Sequence, residues 1–187
     1  MAGFCTGIVE ENEIIDGRIS KEGDKMIGIE SSGLHSNGYS LINDMLWRHK
    51  IFYKDMPELL TPTTIYAKQI AKLKEEIPIL GMAHITGGGI PENLPRCLPK
   101  GLNAFVDIKT WERPEIFHWL QEAGRISEID LWNTFNMGIG YCLIIPKNVV
   151  NSALKICIEN GYEAWTIGKV LECSNDLNRV DLLGIPQ

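Results

Sequence analysis

The sequence predicts an α/β fold of α+β character, in which helices pack on a mixed β-sheet. Short apolar runs alternate with longer segments whose apolar residues recur at helical spacing. That alternation is imperfect, which speaks against a clean doubly wound sheet. Polar turns rich in glycine separate strand from helix at Ser31–Gly38 and at His84–Asn93, and the chain is organised around the second of them.

The predicted elements run as follows. Met1 to Val9 is small and apolar and reads as a strand already under way. Glu10 to Asp24 is polar, with turn signals at Asp16-Gly17 and Glu22-Gly23-Asp24. Lys25 to Glu30 is a strand closed by Ser31-Ser32-Gly33, and the following helix presents Leu41, Ile42, Met45 and Leu46 on one face. Thr61-Pro62 has the form of an N-cap followed by a first-turn proline, opening a helix striped by Tyr66, Ile70, Leu73 and Ile77. Ile77 to Met82 reads as a short buried strand, and Pro91 marks a helix start after the glycines.

Gly101 to Ile108 is a strand, and a helix runs from Pro114 to Gly124. Ser127-x-x-Asp130 resembles a capping box for a helix that ends near Asn136. Tyr141 to Ile145 is a strand. The clearest helix spans Asn148 to Asn160, with Val149, Val150, Ala153, Leu154, Cys157 and Ile158 as its buried stripe. Ala164 to Leu171 and, more weakly, Arg179 to Leu183 complete the strands.

A length of 187 residues suits one domain, here taken as 1–187. Such a chain buries roughly 70% of its unfolded surface and needs no disulfide or structural metal to fold. The net charge of −6, with no dense basic run, argues against nucleic-acid binding. No apolar run approaches about 18 residues, which speaks against membrane spanning. The five cysteines are widely spaced with no C-x-x-C pair, as expected of reduced thiols buried in a cytoplasmic protein.

The chemistry centres on Ala83-His84-Ile85-Thr86-Gly87-Gly88-Gly89-Ile90-Pro91-Glu92-Asn93. A strand, a glycine turn and a helix start expose amides that no helical carbonyl satisfies, and such amides bind anions, most often phosphate. The glycines alone leave open a tight turn without a ligand, because no Lys-Ser/Thr follows them as in a Walker A loop. His84 and Thr86 set a proton-transfer group and a hydroxyl beside the turn. His35 is the second plausible acid–base group, since imidazole titrates near neutrality. Either histidine could instead be structural. Asn136, before Met137-Gly138, could offer its amide to a ligand or serve as a helix C-cap. No carboxylate cluster indicates a metal.

Several blocks, taken together, resemble one family. They are Ala2-Gly3-Phe4, Ile29 through Leu41, Leu60-Thr61-Pro62-Thr63, Ile65-Tyr66, Ala83 through Arg96, and Phe135-Asn136-Met137-Gly138-Ile139-Gly140. In order and nearly end to end, they resemble the C-terminal domain of the phosphoribosylformylglycinamidine cyclo-ligases, or aminoimidazole ribonucleotide (AIR) synthetases. The resemblance implies an α/β/α layered domain with partial likeness to a ferredoxin-like fold. It implies ATP-dependent closure of an imidazole ring in purine biosynthesis, with ATP and Mg²⁺, in a cytoplasmic homodimer. The Thr86 to Gly89 turn (Thr86, Gly87, Gly88, Gly89) would hold the phosphate of a small phosphorylated substrate. His84, His35, Ser36, Asn37 and Gly38 would line the cleft, with Asn93 and Asn136 nearby.

Two departures matter. Family enzymes are nearly twice this length, and their N-terminal half carries the aspartate-rich Mg–ATP site and much of the dimer contact. The resemblance therefore implies a half-enzyme, inactive alone and partnered by that missing half. Thr64 also stands where a basic residue is expected after Pro62-Thr63. The competing readings are another ATP-using synthetase or kinase of the same superfamily, and a non-catalytic domain that binds a phosphorylated ligand.

Overall fold

A computed structural model describes residues 4–174 and 180–185. Its sheet has six strands: β1 (Lys25–Glu30), β2 (Gly81–His84), β3 (Leu102–Asp107), β4 (Ile139–Ile145), β5 (Ala164–Glu172) and β6 (Val180–Leu183). They lie in the order β2-β4-β1-β5-β3-β6. Every neighbouring pair is antiparallel except β3–β6, which is parallel, so the sheet is mixed as expected.

The interior of β1 is buried at four successive residues, Met26 to Ile29, because both faces of the strand are covered. Side chains alternate between faces along a strand. Met26 joins Ile139, Cys142 and Ile144 beneath four helices: α1 (Tyr39–His49), α3 (Gly89–Asn93), α4 (Glu115–Gly124) and α5 (Glu128–Thr134). Ile42, Ile90, Phe117 and Leu131 are their buried contributions. Ile27 and Ile29 point the other way, with Leu143 and Ile145, into α2 (Ala67–Glu76) and α6 (Val150–Glu159). The result is three layers, helix on sheet on helix.

Ile42, Met45 and Leu46 of α1 are buried as its spacing requires. Tyr66, Ile70, Leu73 and Ile77 pack in one cluster on the opposite face of the sheet. Ser127 caps α5 by accepting the Asp130 N–H at 3.1 Å.

Several expectations are corrected. Residues 4–9 form no strand and are exposed; Met1 to Gly3 and Arg179 lie outside the described residues. Thr61-Pro62 opens no helix. The segment from Thr61 to Ile65 is non-helical, held by the Ser32 hydroxyl donating to the Pro62 carbonyl at 2.7 Å, and α2 starts at Ala67. The apolar run from Ile77 pairs only from its end, where the Leu80 N–H donates to the Ile144 carbonyl and β2 follows. The short helix after the glycines begins at Gly89, two residues before Pro91, because left-handed Gly88 serves as its N-cap. On α6 Ile156 is buried with Ala153 and Cys157, whereas Val150 and Leu154, and Val149 just before the helix, are half-buried and Ile158 is exposed, since the stripe that faces β1 is Ala153, Ile156 and Cys157.

Topology places the site. Glu30 at the end of β1 pairs with Ile139 near the start of β4, and His84 at the end of β2 pairs with Tyr141. The turns after β1 and β2 and the turn before β4 therefore meet along one edge of the sheet.

Candidate functional site

The turn after β1 is bent tightly. Gly33, His35, Ser36 and Gly38 all have positive φ, with His35 at +50° and Ser36 at +60°. Residues that carry a Cβ adopt this region at a cost of about 1–3 kcal/mol each, sustained only where surrounding bonds over-determine it. Here those bonds are visible. The His35 ring accepts the Ser32 N–H at its Nε2 at 3.0 Å, and the Thr64 N–H approaches the same nitrogen at 3.4 Å. The Asn37 side chain donates to the His35 carbonyl at 2.8 Å. Ser36 is exposed, with its hydroxyl 3.4 Å from that of Thr63.

Asn37 also reaches across to the glycine turn, where its side-chain oxygen accepts the Gly87 N–H at 2.9 Å. Within that turn the Gly89 N–H donates to the Thr86 carbonyl. Asn93 lies beneath it, buried, with its amide donating to the carbonyls of Gly87 and Gly89 at 3.1 and 2.8 Å and its oxygen accepting from the Thr86 hydroxyl. The turn is thus braced from below and from the side. The three glycines differ in what they tolerate. Gly88, at φ +90°, lies against the Glu92 side chain, and Gly89, at φ +59°, lies against the backbone carbonyls of Trp132 and Phe135. Gly87 is open, with the Asn37 oxygen 3.7 Å from where a Cβ would sit.

The expected anion cradle is narrower than the glycine count suggests. Two of its amides are already used within the protein, and α3 spans only Gly89–Asn93, so it adds little dipole. Among the described residues the Gly88 N–H has no acceptor.

Four rings meet on this edge. His35 and His84 have centroids 6.1 Å apart, and Tyr66 lies 5.9 Å from the first and 6.0 Å from the second. Tyr141 stacks on His84 at 5.9 Å and 21°. The Tyr66 hydroxyl donates to the Glu30 carbonyl at 2.5 Å. Burial penalises the charged form of each group. It pushes the hydroxyls of Tyr66 and Tyr141 up and the His84 imidazole down. Burial, reinforced by the neighbouring His84, lowers His35 to about 4. Neither tyrosine was singled out in the sequence. Tyr66 reads there as a helix-stripe residue, and the place of Tyr141 beside His84 follows from strand pairing, which no local pattern carries.

Asn136 is fully buried and is not the C-cap of α5, a place that Phe135 takes. Its oxygen accepts from the Ser31 hydroxyl and the Gly138 N–H, and its nitrogen donates to the Gly33 carbonyl at 2.7 Å. The left-handed residues after α5 are Met137 and Gly138. Asn136 therefore ties the turn after β1 to the turn before β4. Gly38, also left-handed, is the N-cap of α1 and packs against the Phe135 ring. On the far side of the Ser31–Gly33 turn a cleft of about 490 Å³ opens between Met56, Glu58, Pro114 and Trp119, and the two histidines do not line it.

Among the described residues no three His, Cys, Asp or Glu side chains are placed to hold a metal ion. No helix among them is long and apolar enough to cross a membrane.

The chain is thus a three-layer α/β domain that gathers braced turns and paired histidines on one edge of its sheet. The chain belongs to the family described as AIR synthase related protein, C-terminal domain, which it matches over residues 21–176. It is 56% identical over its whole length to the phosphoribosylformylglycinamidine cyclo-ligase of Prochlorococcus marinus (strain NATL2A), of which it spans 57%. It is 48% identical to the protein of that name from Synechococcus sp. (strain CC9311), with the same coverage. Its fold is also that of thiamine-monophosphate kinase from Stenotrophomonas maltophilia K279a, at a TM-score of 0.62 over 92% of this chain and 54% of that one, with 14% identity. The chain thus spans little more than half the length of the curated relatives it matches.

Proposed function

We propose that this chain is the substrate-side part of an ATP-dependent cyclo-ligase that converts formylglycinamidine ribonucleotide to aminoimidazole ribonucleotide in purine biosynthesis. The observation that carries the reading is the bond between Asn37 and the Gly87 amide, which joins the two polar turns into one ledge beside His35 and His84. Family membership supports the reaction class. In this reading ATP transfers its terminal phosphoryl group to the amide oxygen of the substrate and leaves as ADP. The amidine nitrogen then closes the ring, and inorganic phosphate and a proton leave. Positioning and charge neutralisation supply most of such catalysis.

This chain's part is to bind and orient. The Gly88 N–H and the Ser36 hydroxyl hold the phosphate of the ribonucleotide, and His84 takes the proton released on ring closure. Mg²⁺ accompanies ATP in this chemistry, but the donor set of the described residues does not fit a Mg²⁺ site. We place the ligands of metal and ATP in the portion of the relatives that this chain does not span, and we propose that this portion completes the active site in a cytoplasmic homodimer. The chain alone is then inactive.

Calorimetric titration of the chain with formylglycinamidine ribonucleotide, and separately with ATP with and without Mg²⁺, tests the proposal. Ribonucleotide binding with weak or absent ATP binding is expected. Steady ring closure by the chain alone would overturn its assignment as an incomplete enzyme. Binding that never becomes catalysis when the remaining portion is supplied would favour a ligand-binding domain.

A further inference from the structure

The two histidines of the ledge are not equivalent. His35 is 4% exposed, and its Nε2 receives a backbone N–H from Ser32 at 3.0 Å, with that of Thr64 at 3.4 Å and the Ser32 hydroxyl, which also donates to the Pro62 carbonyl, 3.1 Å away. A backbone N–H can only donate, so the nitrogen it meets must carry a lone pair. In a neutral ring the proton then sits on the other nitrogen. That nitrogen, Nδ1, is buried without a hydrogen-bond partner in the structure. It faces the Cα of Gly140, where a Cβ would lie 3.0 Å from Nδ1 and 2.5 Å from Cε1 and would also collide with the Tyr66 hydroxyl. Gly140 does not have positive φ, so it serves here by the space it leaves.

His84 is the opposite case. It is exposed, neither ring nitrogen has a hydrogen bond to a described residue, and it meets its neighbours only through ring contacts.

We propose that His35 is a positioning residue locked in the Nδ1–H tautomer, wedging Tyr66 against His84, and that His84 alone exchanges protons at this ledge. The proposal rests on the functional reading above only for what His84 does to a ligand; the division of roles stands on geometry. The titratable groups around His84 are His35 from the turn after β1, Tyr66 from the segment before α2, and Tyr141 from β4. Glu30 lies behind Tyr66. Both tyrosine hydroxyls stay protonated across the neutral range, since burial raises them further.

The test is nitrogen–proton correlation NMR of the histidine rings in the free chain, labelled at histidine, followed from pH 8 to pH 5.5. His35→Gln and His84→Gln assign the signals. The expected result is one ring fixed with a protonated Nδ1 and a bare Nε2 throughout, absent in His35→Gln, and a second ring, absent in His84→Gln, that titrates. In His35→Gln, whose side-chain oxygen can still accept the Ser32 N–H, the Tyr66 contact is loosened and the midpoint of His84 shifts. A protonated Nε2 on His35, or charging of His35 within that range, would overturn the proposal. An unmoved His84 midpoint in His35→Gln would overturn the positioning role. Because no ligand is present, either failure is distinguishable from failure of the proposed ring-closing function, which ribonucleotide titration reads.

Discussion

The side-chain oxygen of Asn37 and the backbone nitrogen of Gly87 meet at 2.9 Å across fifty residues of chain. The same Asn37 amide donates to the carbonyl of left-handed His35. One half-buried side chain therefore holds the strained turn after β1 and the glycine turn after β2. Replacing Asn37 by Ala removes both bonds. At about 0.5–1.5 kcal/mol per net hydrogen bond, a loss of about 1–3 kcal/mol is expected. Urea unfolding should show it as a lower midpoint at unchanged slope, together with weakened ribonucleotide binding.

The three glycines should separate by stability. Gly87→Ala meets only ordinary contact and is expected to stay within about 0.5 kcal/mol of the parent while altering ligand approach. Gly88→Val adds a branched side chain at φ +90° against Glu92, and about 1–3 kcal/mol is expected from the backbone strain alone. Gly89→Ala drives a methyl into the Trp132 carbonyl and should be the most damaging of the three. Thermal melts of the set check the order. Gly88→Val is thus a poor probe of phosphate binding, because it also perturbs the fold, and Gly87→Ala is the cleaner one.

Arg113 and Glu128 form a partly buried ion pair, completed by Gln121 and by the Trp132 indole N–H, which donates to Glu128 at 2.9 Å. Burial alone would raise the Glu128 carboxyl. The hydrogen bonds from Arg113, Trp132 and Gln121, with the Arg113 charge, outweigh it and hold the group below its usual range. A carboxylate lowered in the folded state stabilises above its unfolded value of 4.5, and that stability is lost as pH falls through the lower folded value. Arg113→Met should cost about 1–3 kcal/mol near pH 7, because it removes the charged hydrogen-bond partner of a partly buried carboxylate. It should also flatten the acid limb of stability below about pH 4.5, measured by denaturant titration at several pH values.

His35 gives a second, separable pH dependence. Its unfolded value is 6.5 and its folded value about 4, so between these the unfolded chain binds a proton that the folded chain refuses. Stability should fall as pH drops from 6.5 toward 4, by at most about 1.4 kcal/mol per pH unit from this group. His35→Gln should remove that slope while leaving the Glu128 limb at lower pH.

Thiol accessibility follows burial. Cys97, Cys142 and Cys157 are buried, and burial pushes Cys97 and Cys157 up to about 11 and Cys142 higher still. The thiolate is the reacting species. Exposed Cys5 should be modified promptly by a thiol reagent at pH 8, and these three only on unfolding.

What was legible in the sequence was what local periodicity controls. The strand at Lys25–Glu30, the Ile42–Met45–Leu46 face of α1 and the Ser127 cap all follow from spacing and side-chain chemistry. What failed was set by distant partners. Thr61-Pro62 looks like a helix start, but the Ser32 hydroxyl and the His35 ring bind this segment in a non-helical form. Ile158 fits the stripe of α6 as well as Ile156 does until the position of β1 fixes the helix's rotation. No local pattern shows that the amides of Asn93 and Asn136 brace turns distant in the chain or folded back on themselves. Tyr66 and Tyr141 enter the histidine cluster only because β1, β2 and β4 end side by side.

The strand order carries one further consequence. β1 lies near the start of the chain yet is flanked by β4 and β5, so neither of its neighbours has been synthesised until more than a hundred residues have followed it. Non-local pairing of this kind slows folding, and an apolar strand awaiting both partners is prone to aggregation. A ribosome carrying a nascent chain that ends before Ile139 would display Met26 to Ile29 with no sheet to enter. The need for chaperone protection during translation should therefore peak over the middle of this domain and subside once β5 has emerged.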